Sequence, residues 1–578
     1  MTTNYAIGID LGTSTSEICV YKNNESLPIS DPSTKIPIIP SIVAINERGK
    51  LLVGETARGI VDRAGFGVRE SKRKMGKGEV ISLREQDYRP EEIAALILRK
   101  LKDNAEEALG HPIQDVVISV PANFPDAARK ATYNAGEIAG LNILRLINEP
   151  TAAALAFGIK NINSEEQLVV FDFGGGTLDI SVLEMFEGVL EVKSSFGDEE
   201  LGGKDFDDVM ILLLLKKFAA QHPEVSVDNR ETELKEKAEL AKKILSTEQS
   251  CDVHFSNFAT KDGKAIDLDV EITRTEFEQA IAPLLERART CIRGALNAKK
   301  IRPSAIDRVL LVGGTTYIPA VRKMVAEMFG KQPKLDVNPD LAVGIGACIQ
   351  AALANGLINE ESGIILTDVS SRGLGIDVVS IIGGQVMLTY EPLIQPNTTI
   401  PYSVKKTYTL LHAEQQQVEV RLYEDRTGKA KLPVDAEDTG IAGQITDIPP
   451  APNGNPYPIE IEFSYDINGL ATLTASIPDI RKSVEIVYGK SDKRMTDEEK
   501  QAATKRNQDL WKQNERAKEF ESLINKAEGF MAGIPPQERS PLSRAVMDLK
   551  EALMTDNSHE IEVAGDRLID MMYDWENQ

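Results

Sequence analysis

A strand that ends in aspartate, turns through glycine, serine and threonine, and leaves as a second alternating strand is written twice in this chain. Tyr5 to Tyr21 reads YAIGIDLGTSTSEICVY, and Val169 to Leu183 reads VVFDFGGGTLDISVL. The duplication constrains the fold more than any other feature: two copies of one supersecondary unit predict two related halves facing each other, with a cleft between them. Around the copies, residues 1 to about 358 alternate short β-branched runs (DVVISVPA, LVVFDFGGG, DRVLLVGGTT) with amphipathic helices at Pro90–Leu109 and Arg230–Ser246. That alternation predicts an α/β region.

Each corner is built to hold an anion. Glycine, serine and threonine leave backbone N–H groups uncovered and add hydroxyl donors, which wrap a phosphate oxygen where bulkier residues would block it. The first corner offers Gly12, Thr13, Ser14 and Thr15; the second offers Gly174, Gly175, Gly176 and Thr177. Asp10 and Asp172 stand at the preceding strand ends, where a carboxylate suits a hydrated Mg2+ rather than the phosphate that would repel it. A third glycine pair, Gly313-Gly314 in VLLVGGTTYIPAV, ends a strand and opens a helix, a setting for an anion or a nucleoside. Neither the Walker pattern nor the dinucleotide fingerprint is present.

The text changes beyond about residue 370. Alternating strands with frequent Gly and Pro run to about 490 and predict a separate β region, in which DINGL is a hairpin turn with Asn468-Gly469 supplying positive φ. From Thr496 the pattern is helical: Thr496 and Glu499 form a capping box, Leu510, Ala517, Phe520, Ile524, Ala527 and Met531 make one stripe, and Ser540-Pro541 and Ser558 open two further helices. Between the α/β and β regions stands IILT, Ile364–Thr367, which on pattern alone reads equally as a strand of the next sheet.

Composition removes several function classes. A net charge of −23 opposes duplex nucleic acid as a partner, since a phosphate backbone needs a basic face. No apolar stretch approaches the ~20 residues of a membrane span, and MTTNYAIGID has no secretory pattern. Cys19, Cys251, Cys291 and Cys348 lie far apart, so neither a disulfide framework nor a zinc site is expected. The expectation is a cytoplasmic protein.

Five stretches carry a resemblance: IGIDLGTSTS, INEPTAAALAFG, VVFDFGGGTLDIS, GDEELGGKDFD and VLLVGGTTYIPAV. In order and together they resemble the seventy-kilodalton heat-shock chaperone family, of the DnaK type, within the actin-like and sugar-kinase-like ATPase superfamily. LGID and QPNTTIP extend the match into the β region. The resemblance implies an actin-like α/β ATPase domain of two lobes at 1–358, an interdomain linker at 359–370, a β-sandwich peptide-binding domain at 371–492 and a helical lid at 493–578. It further implies an ATP-dependent chaperone that hydrolyses ATP slowly, stimulated by peptide and a J-domain co-chaperone, to capture and release apolar segments of unfolded proteins.

Carried over by position, the resemblance puts Thr13, Ser14, Thr15 and Gly174 to Thr177 on the phosphates of ATP or ADP. Asp10, Glu149 and Asp172 orient Mg2+ and its waters; K+ is also compatible. Lys72, in ESKRKMG, positions the attacking water and stabilises charge on the transferred phosphoryl group; Thr177 joins this catalytic set. Adenosine sits against Glu239, Lys242, Lys243 and Ser246, whose spacing independently shares one helix face. Gly202, Gly203, Gly313, Gly314 and Asp340 complete the nucleotide contacts. At Tyr317 the family usually has an arginine that stacks on adenine, and a tyrosine ring can also stack.

Pro121 and Arg129 match a relay between nucleotide and lobe closure, and Ile364, Ile365, Leu366 and Asp368 match the linker that couples the two sites. Ile376, Val378, Val379, Tyr408, Leu410, Leu411, Val418 and Val420 match the wall of the peptide channel. As residues they are apolar positions on alternating strands, which ordinarily means core. Leu410 and Leu411 are bulkier than the family's usual residues, which predicts a narrower side-chain preference.

Two departures accompany the match. The chain is shorter than the family norm by roughly two dozen residues around GKGEVISLREQDYRPEE, trimming the edge that exchange factors grip. The tail lacks the acidic-valine ending that recruits tetratricopeptide co-chaperones. Both suggest a shortened bacterial, specialised member. Two rivals share the corners: a small-molecule kinase, which needs an acceptor site, and a filament-forming actin-like protein. Neither accounts for the β region and helical tail.

Overall fold

The computed structural model describes the chain apart from residues 1–3, 160, 162–163, 226–230, 262, 334–337, 359–363, 488–494, 532–539, 556–557 and 577–578. Side chains 231–233, 514–522, 525, 529–530, 540, 551, 553–555, 558–559 and 573–576 also lie outside the description. Residues 359–363 of the expected linker, Arg230, and the side chains of Ala517 and Phe520 therefore lie outside the described residues.

The duplicated motif builds two sheets of matching topology. In the first, Ala6–Leu11 pairs in parallel with Asp115–Val120 and antiparallel with Thr15–Lys22, which pairs onward with Glu25–Pro28; Asn142–Asn148 closes the other edge. In the second, Glu166–Phe173 pairs in parallel with Arg308–Val312 and antiparallel with Leu178–Phe186, which pairs onward with Val189–Asp198. The central strands are apolar on both faces: Val169 and Phe171 on one face and Leu168 and Val170 on the other are all inaccessible. Helix Ala342–Ala354, rich in alanine, permits a close approach: a Cβ on Gly8 would lie 2.0 Å from the Cys348 backbone nitrogen.

The segment Ile365–Val369 adds a strand to the second sheet, parallel to Val189–Asp198 in the register Val189↔Ile365 and Leu190↔Leu366. Residues 365–367 of IILT form a strand, but on the preceding sheet rather than the next. An exposed sheet edge presents unpaired N–H and C=O groups, and an extended apolar segment satisfies them. Ile364 and Leu366 pack on the core below it, while Ile365 faces outward.

Residues 373–487 form two four-stranded sheets: Gln385–Ile394, Gly373–Ile382, Val418–Asp425 and Glu437–Ile445 in one, and Tyr402–Thr409, Pro458–Tyr465, Ala471–Ile477 and Lys482–Val487 in the other. They share a core containing Ile376, Leu422, Phe463 and Leu473. The turn at DINGL differs from expectation: Gly469 alone takes positive φ, at 69°, closing a turn in which Gly469 N–H donates to Asp466 O.

Helix Asp497–Met531 begins at the expected capping box, with Glu499 N–H donating to Thr496 Oγ1. Its apolar stripe serves two cores rather than one. Ala503, Leu510 and Trp511 pack against helix Pro90–Leu109, whereas Ile524, Ala527 and Met531 pack with helices Ser540–Thr555 and Ser558–Glu576. A helix this long reaches beyond a single small bundle.

Candidate functional site

The two corners meet. A Cβ on Gly175 would lie 1.9 Å from Ser14 Oγ, and one on Gly176 would lie 2.6 Å from Thr13 Oγ1. Glycine is required there because the opposing loop occupies the space. Gly202 is equally enclosed, an added Cβ meeting the Gly175 carbonyl at 2.5 Å, and at Gly313, with φ +80°, an added Cβ would lie 2.5 Å from Phe173 O. Glycines from three separated stretches thus interlock.

Beside them lies a cavity of about 540 Å3. Thr13, Ser14, Thr15, Gly175, Gly203, Glu239, Lys242, Lys243, Ser246, Gly314, Tyr317 and Asp340 all line it. Gly12, Gly174, Gly176, Thr177, Gly202 and Gly313 are not among the residues that line it. The Gly174 N–H is spent inside its own turn, donating to Thr177 O at 3.1 Å, and so is not among the free donors. Lys242 Nζ donates to Gly203 O at 2.9 Å and pairs with Asp207 at 2.7 Å, locking the helix Glu231–Leu245 to the helix Gly203–Gln221. Tyr317 donates to Asp340 Oδ2 at 3.0 Å, and the Arg322 guanidinium lies 5.3 Å from its ring centre.

Lys72 is buried, contrary to what a lysine in a basic run suggests. Its ammonium donates to Leu11 O and, at 2.6 Å, to Glu149 Oε1. The residue before its short helical turn, Glu70, sits at φ +58°, a strained setting that turns the chain into the cleft. Asp10 accepts from Ser119 Oγ at 2.5 Å. Burial, then the charge of Glu149, pushes the Asp10 carboxyl up to about 6 despite Lys72 and Ser119. Burial, then the charges of Glu149, Asp179 and Asp10, holds Asp172 well above the usual carboxylate range.

Asp172 Oδ2 is buried with no hydrogen-bond partner among the described residues. Crowded carboxylates around one ammonium, one of them with an orphaned oxygen, fit a divalent cation held through water by Asp10 and Asp172.

Pattern alone did not find the residues that bridge the halves. Arg73 Nη2 donates to Gly176 O at 2.6 Å and to Asp205 Oδ2 at 2.7 Å, and Lys204 pairs with Glu70 at 2.8 Å. Arg58, Arg69 and Lys235 also line the cavity. A cationic side chain in a lysine- and arginine-rich run carries no local mark of which way it turns.

A family model described as Hsp70 protein matches residues 70–577. The chain belongs to the Hsp70 family. It is 36% identical to the chaperone protein DnaK of Thermosipho africanus and 37% identical to that of Thermotoga maritima, in each case over 98% of this chain and 95% of the relative. It is 36% identical to the chaperone protein DnaK of the organism Cenarchaeum symbiosum over 95% of this chain and 84% of the relative.

In this Hsp70-family chain the remaining expected positions fall into two groups. Pro121 follows the strand that ends at Val120. Arg129 donates to Asn148 Oδ1 at 2.6 Å, to Ala122 O at 3.0 Å and to Asn468 O at 3.4 Å. Asp368 is buried and accepts from Thr151 Oγ1 at 3.2 Å. Arg372, also buried, donates to Asn123 O at 3.0 Å and pairs with Glu199 and Glu424.

Of the eight expected channel positions, Ile376, Leu410 and Val420 are buried in the shared core and Val378, Tyr408 and Val418 pack against it. Val379 and Leu411 are exposed, each beside an inward-facing neighbour, Val378 and Leu410, as alternation requires. Val379 lies where its strand has left the neighbouring strand, and Leu411 follows the end of Tyr402–Thr409. No helix among the described residues is long and apolar enough to cross a membrane.

Proposed function

We propose that this chain is an ATP-dependent molecular chaperone whose nucleotide cleft controls capture and release of extended apolar segments of unfolded proteins. The observation that carries it is a continuity of sheet: the strand leaving the second corner pairs with Val189–Asp198, and that strand pairs with Ile365–Val369, which runs directly into residues 373–487. A change at the corner therefore has a hydrogen-bonded route to the β region, and coupling of this kind is reciprocal.

Residues 1–358 act as the two-lobed ATPase, 359–370 as linker, 371–492 as peptide-binding β-sandwich and 493–578 as lid. Thr13 to Thr15 and Gly175 to Thr177 hold the phosphates, with Gly174 closing their turn, and helix residues Glu239, Lys242, Lys243 and Ser246 hold adenosine. Magnesium, when bound, supplies charge neutralisation to the phosphates. Lys72, fixed by Leu11 O and Glu149, orients a water for in-line attack and stabilises the developing charge, since positioning and electrostatics carry this reaction. Unfolded polypeptides and a J-domain co-chaperone are the expected partners, in the cytoplasm.

The test is ATP turnover with and without an unfolded peptide. Peptide accelerates the wild type several-fold in the absence of any acceptor sugar. Lys72→Ala retains nucleotide but loses turnover. Calorimetry that detects no Mg2+-dependent uptake of adenine nucleotide ends the proposal.

A further inference from the structure

The cleft does not close at Tyr317. A second cavity, of about 530 Å3, lies beyond it, and Tyr317 and Ser246 line both this cavity and the first. One face of the helix Pro319–Phe329 forms its floor. Pro319, Arg322, Lys323, Ala326 and Glu327 line it at the i, i+3, i+4, i+7 and i+8 spacing that puts side chains on one side of a helix.

The wall between the two cavities is fixed from both sides. Tyr317 donates to Asp340, which lines the first cavity. Arg322, which lines the second, places its guanidinium 5.3 Å from the Tyr317 ring centre, a favourable cation–π distance, and is itself held by donating from Nε to Thr316 O at 2.8 Å.

The second cavity is basic in a chain of net charge −23. Arg322 and Lys323 both line it, and the carboxylate on the same helix face, Glu327, pairs with Arg289 of the helix Ala282–Ala298 at 3.6 Å. A pinned wall, a cationic floor and a volume in the range of small-molecule sites describe a place for an anionic group.

The row Glu239, Lys242, Lys243, Ser246 gives the cleft a direction. Lys242 meets Gly203 O beside the corners, whereas Ser246, about one turn further on, borders the second cavity. A nucleotide with its phosphates at the corners therefore points its base at Ser246 and Tyr317. In adenine the exocyclic amine is the group most distant from the ribose bond, so it is the group nearest the second cavity.

We propose that this cavity is a subsite for adenine nucleotides carrying a carboxylate-bearing substituent on the exocyclic amine. It rests on the nucleotide reading above and names a ligand class for the same cleft. The substituent passes the two residues that the cavities share and brings its carboxylate to Arg322 and Lys323.

The experiment is calorimetry on the full chain with Mg2+ and three probes: ATP, N6-carboxymethyl-ATP and the uncharged N6-carbamoylmethyl-ATP of the same size. The wild type binds the carboxymethyl probe within about threefold of ATP and about threefold tighter than the amide, the scale of one exposed charge contact. Lys323→Glu reverses that preference. The ratio of the two analogues' affinities is the readout, because a general loss of nucleotide binding does not move it. Analogues that both bind more than threefold weaker than ATP show a cleft that ends at Tyr317, and overturn the inference while leaving the nucleotide reading intact. Equal affinity for the two analogues in the wild type, or a preference that survives Lys323→Glu, overturns it in the same way. A wild type that takes up none of the three, ATP included, overturns the nucleotide reading and this inference with it.

Discussion

The Asn468 side-chain oxygen accepts the Leu146 backbone N–H at 3.0 Å. Leu146 lies in Asn142–Asn148, the edge strand of the first sheet, so a hairpin turn from the β region satisfies an edge donor of the α/β region. The same turn supplies Asn468 O to Arg129, and its neighbour Ala471 donates to Asp126 Oδ1 at 3.0 Å. The strand Ile365–Val369, Asn397, whose Oδ1 accepts the Ser195 N–H at 2.7 Å, and the Trp511 Nε1 bond to Asp103 Oδ2 at 2.8 Å also hold the later regions against the first 358 residues.

Removing the acceptor tests that docking. Asn468→Ala deletes one net hydrogen bond, worth about 1 kcal/mol, and exposes the edge. Amide exchange of the 142–148 peptide, read by mass spectrometry, accelerates about five- to tenfold. An unchanged exchange rate means the neighbouring contacts hold the interface without it.

The interlocked glycines give a paired prediction. Gly175→Ala collides with the Ser14 side chain, so magnesium-dependent ATP affinity falls by more than tenfold, and Ser14→Gly in the same chain restores much of it. Gly202→Ala meets the Gly175 backbone, which cannot be trimmed away, and Ser14→Gly does nothing for it. Gly59→Ala, where the added carbon meets nothing within 4 Å, is silent. Isothermal titration with ATP across the five variants and the wild type decides the matter.

Lys72 occupies a buried slot sized for a compact ammonium between Leu11 O and Glu149. Arginine's planar fork is no substitute there. Single-turnover ATP hydrolysis falls about 10²- to 10³-fold in Lys72→Met, the scale of losing one preorganised electrostatic contact. Lys72→Arg stays within tenfold of that loss, and nucleotide affinity changes little in both.

Asp31 supplies a pH signature away from the cleft. Burial raises its pKa, but hydrogen bonds from Ser33 and Lys100 outweigh it and bring the carboxyl down to about 2. Its folded value lies below the unfolded ~3.9, so its stabilisation is present above pH 4 and is lost as pH falls from about 4 toward 2. Urea unfolding of Asp31→Ala shows a deficit of about 1–2 kcal/mol at pH 7, and that deficit shrinks between pH 4 and 3. A deficit independent of pH sinks this assignment.

The two corners, the strands that frame them and the helix Pro90–Leu109 were legible because each depends on a short window: alternation, a turn, or a three- to four-residue period. Thr496 and Glu499 marked a helix start for the same reason. Arg73, Lys204 and Glu70 were not legible as bridges, because their partners lie on the other half of the molecule. The stripe from Leu510 to Met531 was visible, but not its division between two cores. Alternation marked Val379 as apolar and could not say that its strand parts from its neighbour after Ile376.

The amino-acid sequence by itself determined the duplicated units and the need for glycine at their corners, since backbone sterics and burial pattern act over a few consecutive residues. Only the tertiary structure decided that Lys72 is buried, that Arg73 ties the halves together and that Ile365–Val369 joins the earlier sheet. Dielectric surroundings and free sheet edges are properties of neighbours in space, and those neighbours are set by the packing of the whole chain.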